Sequence, residues 1–242
     1  MTRSAGGSGE IGRGAYEAAF PRVCDALTLY VWRRLAFTPV RRAVATGIPA
    51  AAVVAAEALL AVPVFACFWH GRYGLGLLLS VAVMLTSVVA LMLARLTHAM
   101  PATNRLRHAV ELLHPLLWWW AWEHGLAAYG RPFEPIYATM VLWVVVGGTI
   151  AINAVEALAM HRFNGMEIHE WRPVDSKFRL ASASRNTNLV ILALALLFRR
   201  PDSGFVLVAW STLISLIFHS VRFAQMTEEQ SLRHQVSSWL DR

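Results

Sequence analysis

Six long apolar blocks separated by clusters of arginine constrain this chain more than any other feature; they lie at about 46–69, 73–96, 107–129, 135–160, 180–198 and 204–223. Each is close to the roughly 20 residues that carry a helix across a hydrocarbon core of about 30 Å. Backbone in lipid must satisfy its own hydrogen bonds, which selects helices for such blocks. The expected fold class is therefore an all-α integral membrane protein with six transmembrane helices. Composition agrees, with 57% of the 242 residues hydrophobic and only 15% charged, against about 25% charged in soluble domains. Six spans and their loops use the length, so one membrane domain is expected over 15–225. A flexible tail is read at 1–14 and a cytoplasmic tail at 226–242. The N-terminus has no continuous apolar run of the signal-peptide kind, and no cleaved leader is expected.

The chain carries 22 Lys+Arg against 15 Asp+Glu, a formal charge of +7. In a soluble protein that balance would suggest nucleic acid. In a membrane chain it follows the positive-inside bias, and no nucleic-acid partner is expected. Assigning loops to alternate sides puts eighteen basic residues on one face: Arg3, Arg13, Arg22, Arg33, Arg34, Arg41 and Arg42 before the first span, Arg95, Arg105 and Arg107 between spans two and three, Arg162, Arg172, Lys177, Arg179 and Arg185 between four and five, and Arg222, Arg233 and Arg242 at the end. Only Arg72, Arg131, Arg199 and Arg200 fall on the other. The bias predicts both termini in the cytoplasm and an even number of spans, as in a bacterial inner-membrane protein.

Between residues 15 and 37, Phe20, Val23, Cys24, Leu27, Val31 and Leu35 recur at three- and four-residue intervals, with Arg22, Asp25 and Arg33 on the other face. This predicts an amphipathic helix at the interface, with Arg33 and Arg34 at headgroup level. A helix packed on the cytoplasmic end of its own bundle fits the same pattern. Cys24 and Cys67 have no metal-type spacing and support neither a disulfide framework nor a zinc site.

Ionisable residues inside apolar blocks cost about 2.5–3.5 kcal/mol each at the bilayer centre, so each calls for a reason. Glu57 lies mid-span and is expected to hydrogen-bond to another helix or to be protonated there, while Glu123, His124 and Glu156 lie near span ends, where headgroups and water can solvate them. His108, Glu111 and His114 step by three and drift around the helix, which suits an interior polar cluster better than a metal site. Of Trp118, Trp119, Trp120 and Trp122, some must face lipid, because four are too many for one face. Gly147-Gly148 reads as a close helix contact. The basic segment 172–185 either pairs with a phosphate headgroup or simply marks the cytoplasmic side.

Three stretches, LTSVVALMLARLTHAMPATNRLRHAVELLHPLLWWWAW (85–122), MEIHEWRPVDSKFRLASASRNTNLVIL (166–192) and RRPDSGFVLVAWSTLISLIFHSVRFAQ (199–225), with RRLAFTPV (33–40) ahead of the first span, resemble the CDP-alcohol phosphotransferases. Members of that family have six spans behind an interfacial helix and are commonly dimers. The family's signature is D-x-x-D-G-x-x-A-R followed by G-x-x-x-D-x-x-x-D. Its carboxylates hold Mg or Mn on the CDP-alcohol pyrophosphate, and the last is the base for the acceptor hydroxyl. Aligned on Ala94 and Arg95, the first two Asp positions hold Ser87 and Ala90, and the first Gly position holds Leu91. Aligned on the following segment, Thr103 stands at the second Gly, Arg107 at the third Asp and Glu111 at the last. Three of four carboxylates are replaced, so neither a metal nor another cofactor is expected at these positions, and Glu111 is the one candidate catalytic residue. The resemblance implies a substrate pocket formed by Arg95, Arg107 and His108 with Lys177, Arg179 and Arg185 at its rim, net positive and open to an anionic phospholipid or a CDP-linked lipid. Three functions follow as expectations: a phospholipid-metabolism protein of this family with lost or altered phosphotransfer; a non-catalytic partner that stabilises an active enzyme; or, more weakly, a lipid or small-solute transporter.

Overall fold

The computed structural model describes residues 11–232 and 236–241. Among them the chain is all-helical, and four helices are long and apolar enough to cross a membrane: α4 (Ala50–Trp69), α5 (Tyr73–Leu96), α7 (Pro135–Arg162) and α10 (Pro201–Ser231). The block at 73–96 coincides with α5. Two other blocks behave differently from plain spans. The third forms α6 (Pro101–Ala128), long enough but carrying Arg105, Arg107, Glu111 and Glu123. The fifth is shorter than expected. Its first five residues, 180–184, stay outside the helix, and α9 (Arg185–Leu197) has 13 residues, about 20 Å at 1.5 Å per residue.

Aromatic side chains and glycines pin one end of the bundle. Phe68, Tyr73, Trp118 and Trp122 are all buried. The Tyr73 hydroxyl donates to the Trp122 carbonyl at 2.8 Å, Trp118 Nε1 donates to the Ala61 carbonyl at 3.2 Å, and Trp122 Nε1 reaches the Pro201 carbonyl at 3.3 Å. These bonds tie α4, α5, α6 and α10 together. Gly125 lets α6 approach that corner, since a Cβ there would collide with the Phe68 carbonyl. As expected, the tryptophans divide, with Trp120 on the outside and the other three buried. Of the glycine pair, only Gly148 makes the close contact, against Thr212 of α10.

The amphipathic segment is not one helix. It begins as α1 (Arg13–Ala19), breaks at Pro21, and resumes through a π-helical turn (Thr28–Trp32), α2 (Arg33–Leu35) and α3 (Phe37–Ala45). The break folds the chain back so that Tyr16 OH donates to the Arg33 carbonyl at 2.8 Å and Glu17 pairs with Arg33. Arg33 is thus engaged in the protein. Helix begins at Arg13, inside the tail expected at 1–14; residues 1–10 with Arg3, and also Arg233 and Arg242, lie outside the described residues. At the other end α10 continues to Ser231, and the segment 236–241 returns to the body, where Trp239 Nε1 donates to Ser176 Oγ at 2.9 Å and Arg22 pairs with Asp241 at 2.6 Å.

Candidate functional site

Helix α9 starts at Ser184, whose Oγ accepts the Thr187 N–H at 3.2 Å. This N-cap fixes the first turn and sends Arg185 back across α5 and α6. Its guanidinium donates to Ser87 Oγ at 2.9 Å and to His114 Nε2 at 2.7 Å, and Nη1 lies 3.7 Å from the buried Glu57 carboxylate. Because arginine only donates, His114 presents a bare Nε2 and its Nδ1–H goes to the Val110 carbonyl at 2.7 Å. Arg107, one turn before Glu111 on α6, donates to both carboxylate oxygens at 2.6 Å. Of the expected interior cluster, Glu111 and His114 join this network, whereas the His108 side chain is 70% exposed and the three do not converge on one point.

This network forms one wall of a cavity of about 270 Å³ lined by Ser87, Leu91, Glu111, Glu156, Arg179 and Arg185, with Asp25 on its N-terminal side. Asp25 is fully engaged there, accepting from Thr28 N–H and Oγ1 and from Asn186 Nδ2. Three carboxylates and two guanidinium groups face this space, so it is not net positive. A second cavity of about 510 Å³ lies beyond Leu91, at the junction of α5 and α6. Its wall holds Arg95, Arg107, His98, His108 and Asn104 and no carboxylate. The single pocket expected from the resemblance is thus two: Arg179 and Arg185 belong to the first, Arg95, Arg107 and His108 to the second, and Lys177 is exposed on α8 (Pro173–Arg179). Leu91, where the resembled motif has a glycine, lines both cavities.

Of the other positions aligned with the resembled motif, Ala94 also lines the second cavity. Ala90 and Ala94 are buried in the α5 packing, and Thr103 is half-buried in the first turn of α6. The four carboxylate positions offer a single carboxylate, already neutralised on both oxygens by Arg107. Mg²⁺ or Mn²⁺ asks for several oxygen ligands, so these residues do not fit the ion that the resemblance implies.

A third group escaped the sequence reading. Glu156 of α7, His169 of a 3₁₀ turn (Ile168–Glu170) and His219 of α10 bring one ligand atom each to a common point, at which Glu156 also lines the first cavity and the two imidazoles do not. His219 Nε2 lies 2.9 Å from Glu156 Oε1 and 3.0 Å from His169 Nε2, and His169 Nε2 lies 3.2 Å from the same Glu156 oxygen. Both imidazoles are 1% exposed. Burial pushes the His169 ring below its ordinary pKa, opposing the Glu156 contact that raises it. Glu156, near the end of α7 and with its side chain 26% exposed, is therefore also the partner of two buried histidines. No spacing could have revealed the group, because its members lie 13 and 50 residues apart along the chain; three ionisable residues in or beside apolar blocks were the available signal.

No family model matches the chain, and no curated protein matches it.

Proposed function

We propose that the chain is a six-span membrane protein with both termini in the cytoplasm, built on a scaffold like that of the CDP-alcohol phosphotransferases, and that it binds an anionic phospholipid or a CDP-linked lipid without the family's carboxylate-held metal. The observation that carries this reading is the second cavity. Arg95, Arg107, His98 and His108 face one space with no carboxylate among its lining residues. Such a wall offers charge-assisted donors to a phosphate and little to a cation. Its position, between the end of α5 and the start of α6, is where the motif places the pyrophosphate. In this reading α6 and α9 cross with their neighbours: Arg107 and Glu111 of α6 pair with each other while Arg105 and Glu123 lie toward its two ends, and the short α9 is completed by the polar turn before Arg185, which opens on the first cavity rather than on lipid.

The test is binding of CDP-diacylglycerol and of phosphatidic acid to the purified protein in detergent, with and without Mg²⁺ or Mn²⁺. Binding is expected in both conditions alike, weakened about tenfold or more in Arg95→Ala and falling with salt. Release of CMP on addition of an alcohol, dependent on either ion, would overturn the loss of transfer. Failure of both lipids to bind would overturn the lipid reading itself. A C-terminal reporter found outside the cytoplasm would overturn the topology.

A further inference from the structure

In the Glu156–His169–His219 group, three hydrogen-bond acceptors face one another. His219 Nδ1 lies 2.6 Å from the Ser215 carbonyl, one turn earlier in α10, and His169 Nδ1 lies 3.3 Å from the Asp175 carbonyl. A carbonyl can only accept, so each Nδ1 carries the ring hydrogen and each neutral Nε2 is a lone pair. Those two lone pairs and Glu156 Oε1 stand 2.9–3.2 Å apart. One added proton on one ring answers the contacts of that ring and leaves the other Nε2 facing the carboxylate as acceptor against acceptor. A metal ion at the centre answers all three.

We propose that Glu156, His169 and His219 form a binding site for one divalent transition-metal ion of the zinc type, with its fourth coordination position toward the first cavity. Two imidazoles and a carboxylate are a zinc ligand set, and three protein ligands with one position open distinguish reactive sites from closed structural ones. Tetrahedral ligands at about 2.0–2.2 Å from an ion stand about 3.4 Å from one another, so the three side chains need to open by only a few tenths of an ångström. Hard ions such as Mg²⁺ and Ca²⁺ prefer an all-oxygen set, which two imidazoles do not give. The surroundings hold the ligands as outer groups of metal sites do: each ring is oriented by a backbone carbonyl. Asp175 accepts the Arg172 N–H at 3.1 Å and lies 2.7 Å from Arg222 Nε of α10, fastening the His169 turn to the helix that bears His219. Glu156 and Arg179 both line the cavity, and Arg179 Nη1 stands 4.0 Å from the ligating oxygen. An anion entering at the open position would meet both the ion and the guanidinium.

Metal binding is read on the protein without lipid, so it stands or falls separately from the function proposed above. The full chain, purified in detergent and stripped with a chelator, is titrated with Zn²⁺ against a competing chromophoric chelator, and bound metal is counted by mass spectrometry. One zinc per chain is expected. His169→Ala and His219→Ala should each weaken binding at least about 100-fold and Glu156→Gln about tenfold or more, while His161→Ala, an exposed histidine at the end of α7, should leave it unchanged. Co²⁺ in place of zinc should give the visible absorption of a four-coordinate site. A symmetric size-exclusion peak reports that each variant is folded; if a histidine variant fails that check, Glu156→Gln and the cobalt spectrum carry the test. Wild-type protein that binds no zinc, or binds it no more tightly than folded variants lacking the ligands, would overturn the site.

Discussion

On one side of Leu91 a cavity wall presents Arg95, Arg107, His98 and His108 with no carboxylate; on the other, Asp25, Glu111 and Glu156 face Arg179 and Arg185, with two more imidazoles behind them. The two sides share α5 and α6 but lack opposite things. The donor-rich side has guanidinium and imidazole groups in excess of acceptors and suits an anion. The acceptor-rich side brings three lone pairs to one point and suits a cation. Arg107 stands between them, lining the second cavity while its Nη1 closes the Glu111 carboxylate. That one side chain occupies the Glu111 carboxylate and leaves the acceptor cluster on α7, α10 and the His169 turn as a separate group of lone pairs. Low dielectric sharpens the division, because inside a bundle an unpaired charge or lone pair costs more than it does in water.

The largest effect expected from breaking this arrangement is at Arg185. Arg185→Ala leaves Glu57, fully buried and with no hydrogen bond among the described residues, without its nearest cation. Stability should fall by about 3–5 kcal/mol, read as thermal unfolding in detergent, and adding Glu57→Gln should restore much of it. Equal loss in the single and the double variant would show that Glu57 does not depend on Arg185. Next comes Gly148→Leu. It sits against Thr212, two turns before Glu156 on α7 as Thr212 is before His219 on α10, so a larger side chain should cost about 1–3 kcal/mol. It should also weaken zinc binding while leaving lipid binding at the second cavity unchanged; a uniform loss of both would mean that the two sides are not independent. The smallest effect is expected at Lys177. Lys177→Ala should change stability and lipid affinity by no more than about 0.5 kcal/mol, because the side chain is exposed on α8 and lines neither cavity; a tenfold drop in lipid binding would return it to the rim where the resemblance puts it.

What the sequence by itself determined is the part of the fold set by local pattern. Helical, lipid-compatible blocks, the bounds of α5, the division of the 118–122 tryptophans between core and outside and the interior character of His114 and Glu111 all follow from hydrophobic runs and from spacing within one helix. The periodicity over 15–37 predicts one helix, whereas the break at Pro21 and the chain that doubles back on Arg33 depend on what Tyr16 and Glu17 meet. The tertiary structure alone decided which charges pair and what the space between them can hold. Arg185 reaches Ser87 and His114 and stands 3.7 Å from Glu57 only because α9 packs across α5 and α6, and a low-dielectric interior favours closing such contacts over leaving the groups free. The division of one expected pocket into two at Leu91, and the convergence of Glu156, His169 and His219 from three elements, depend on helix packing and on the anchoring of a loop by Asp175. Periodicity reports which face a residue shares with its own helix; it holds no information on which residue of another helix arrives opposite, and both candidate sites are made of such arrivals.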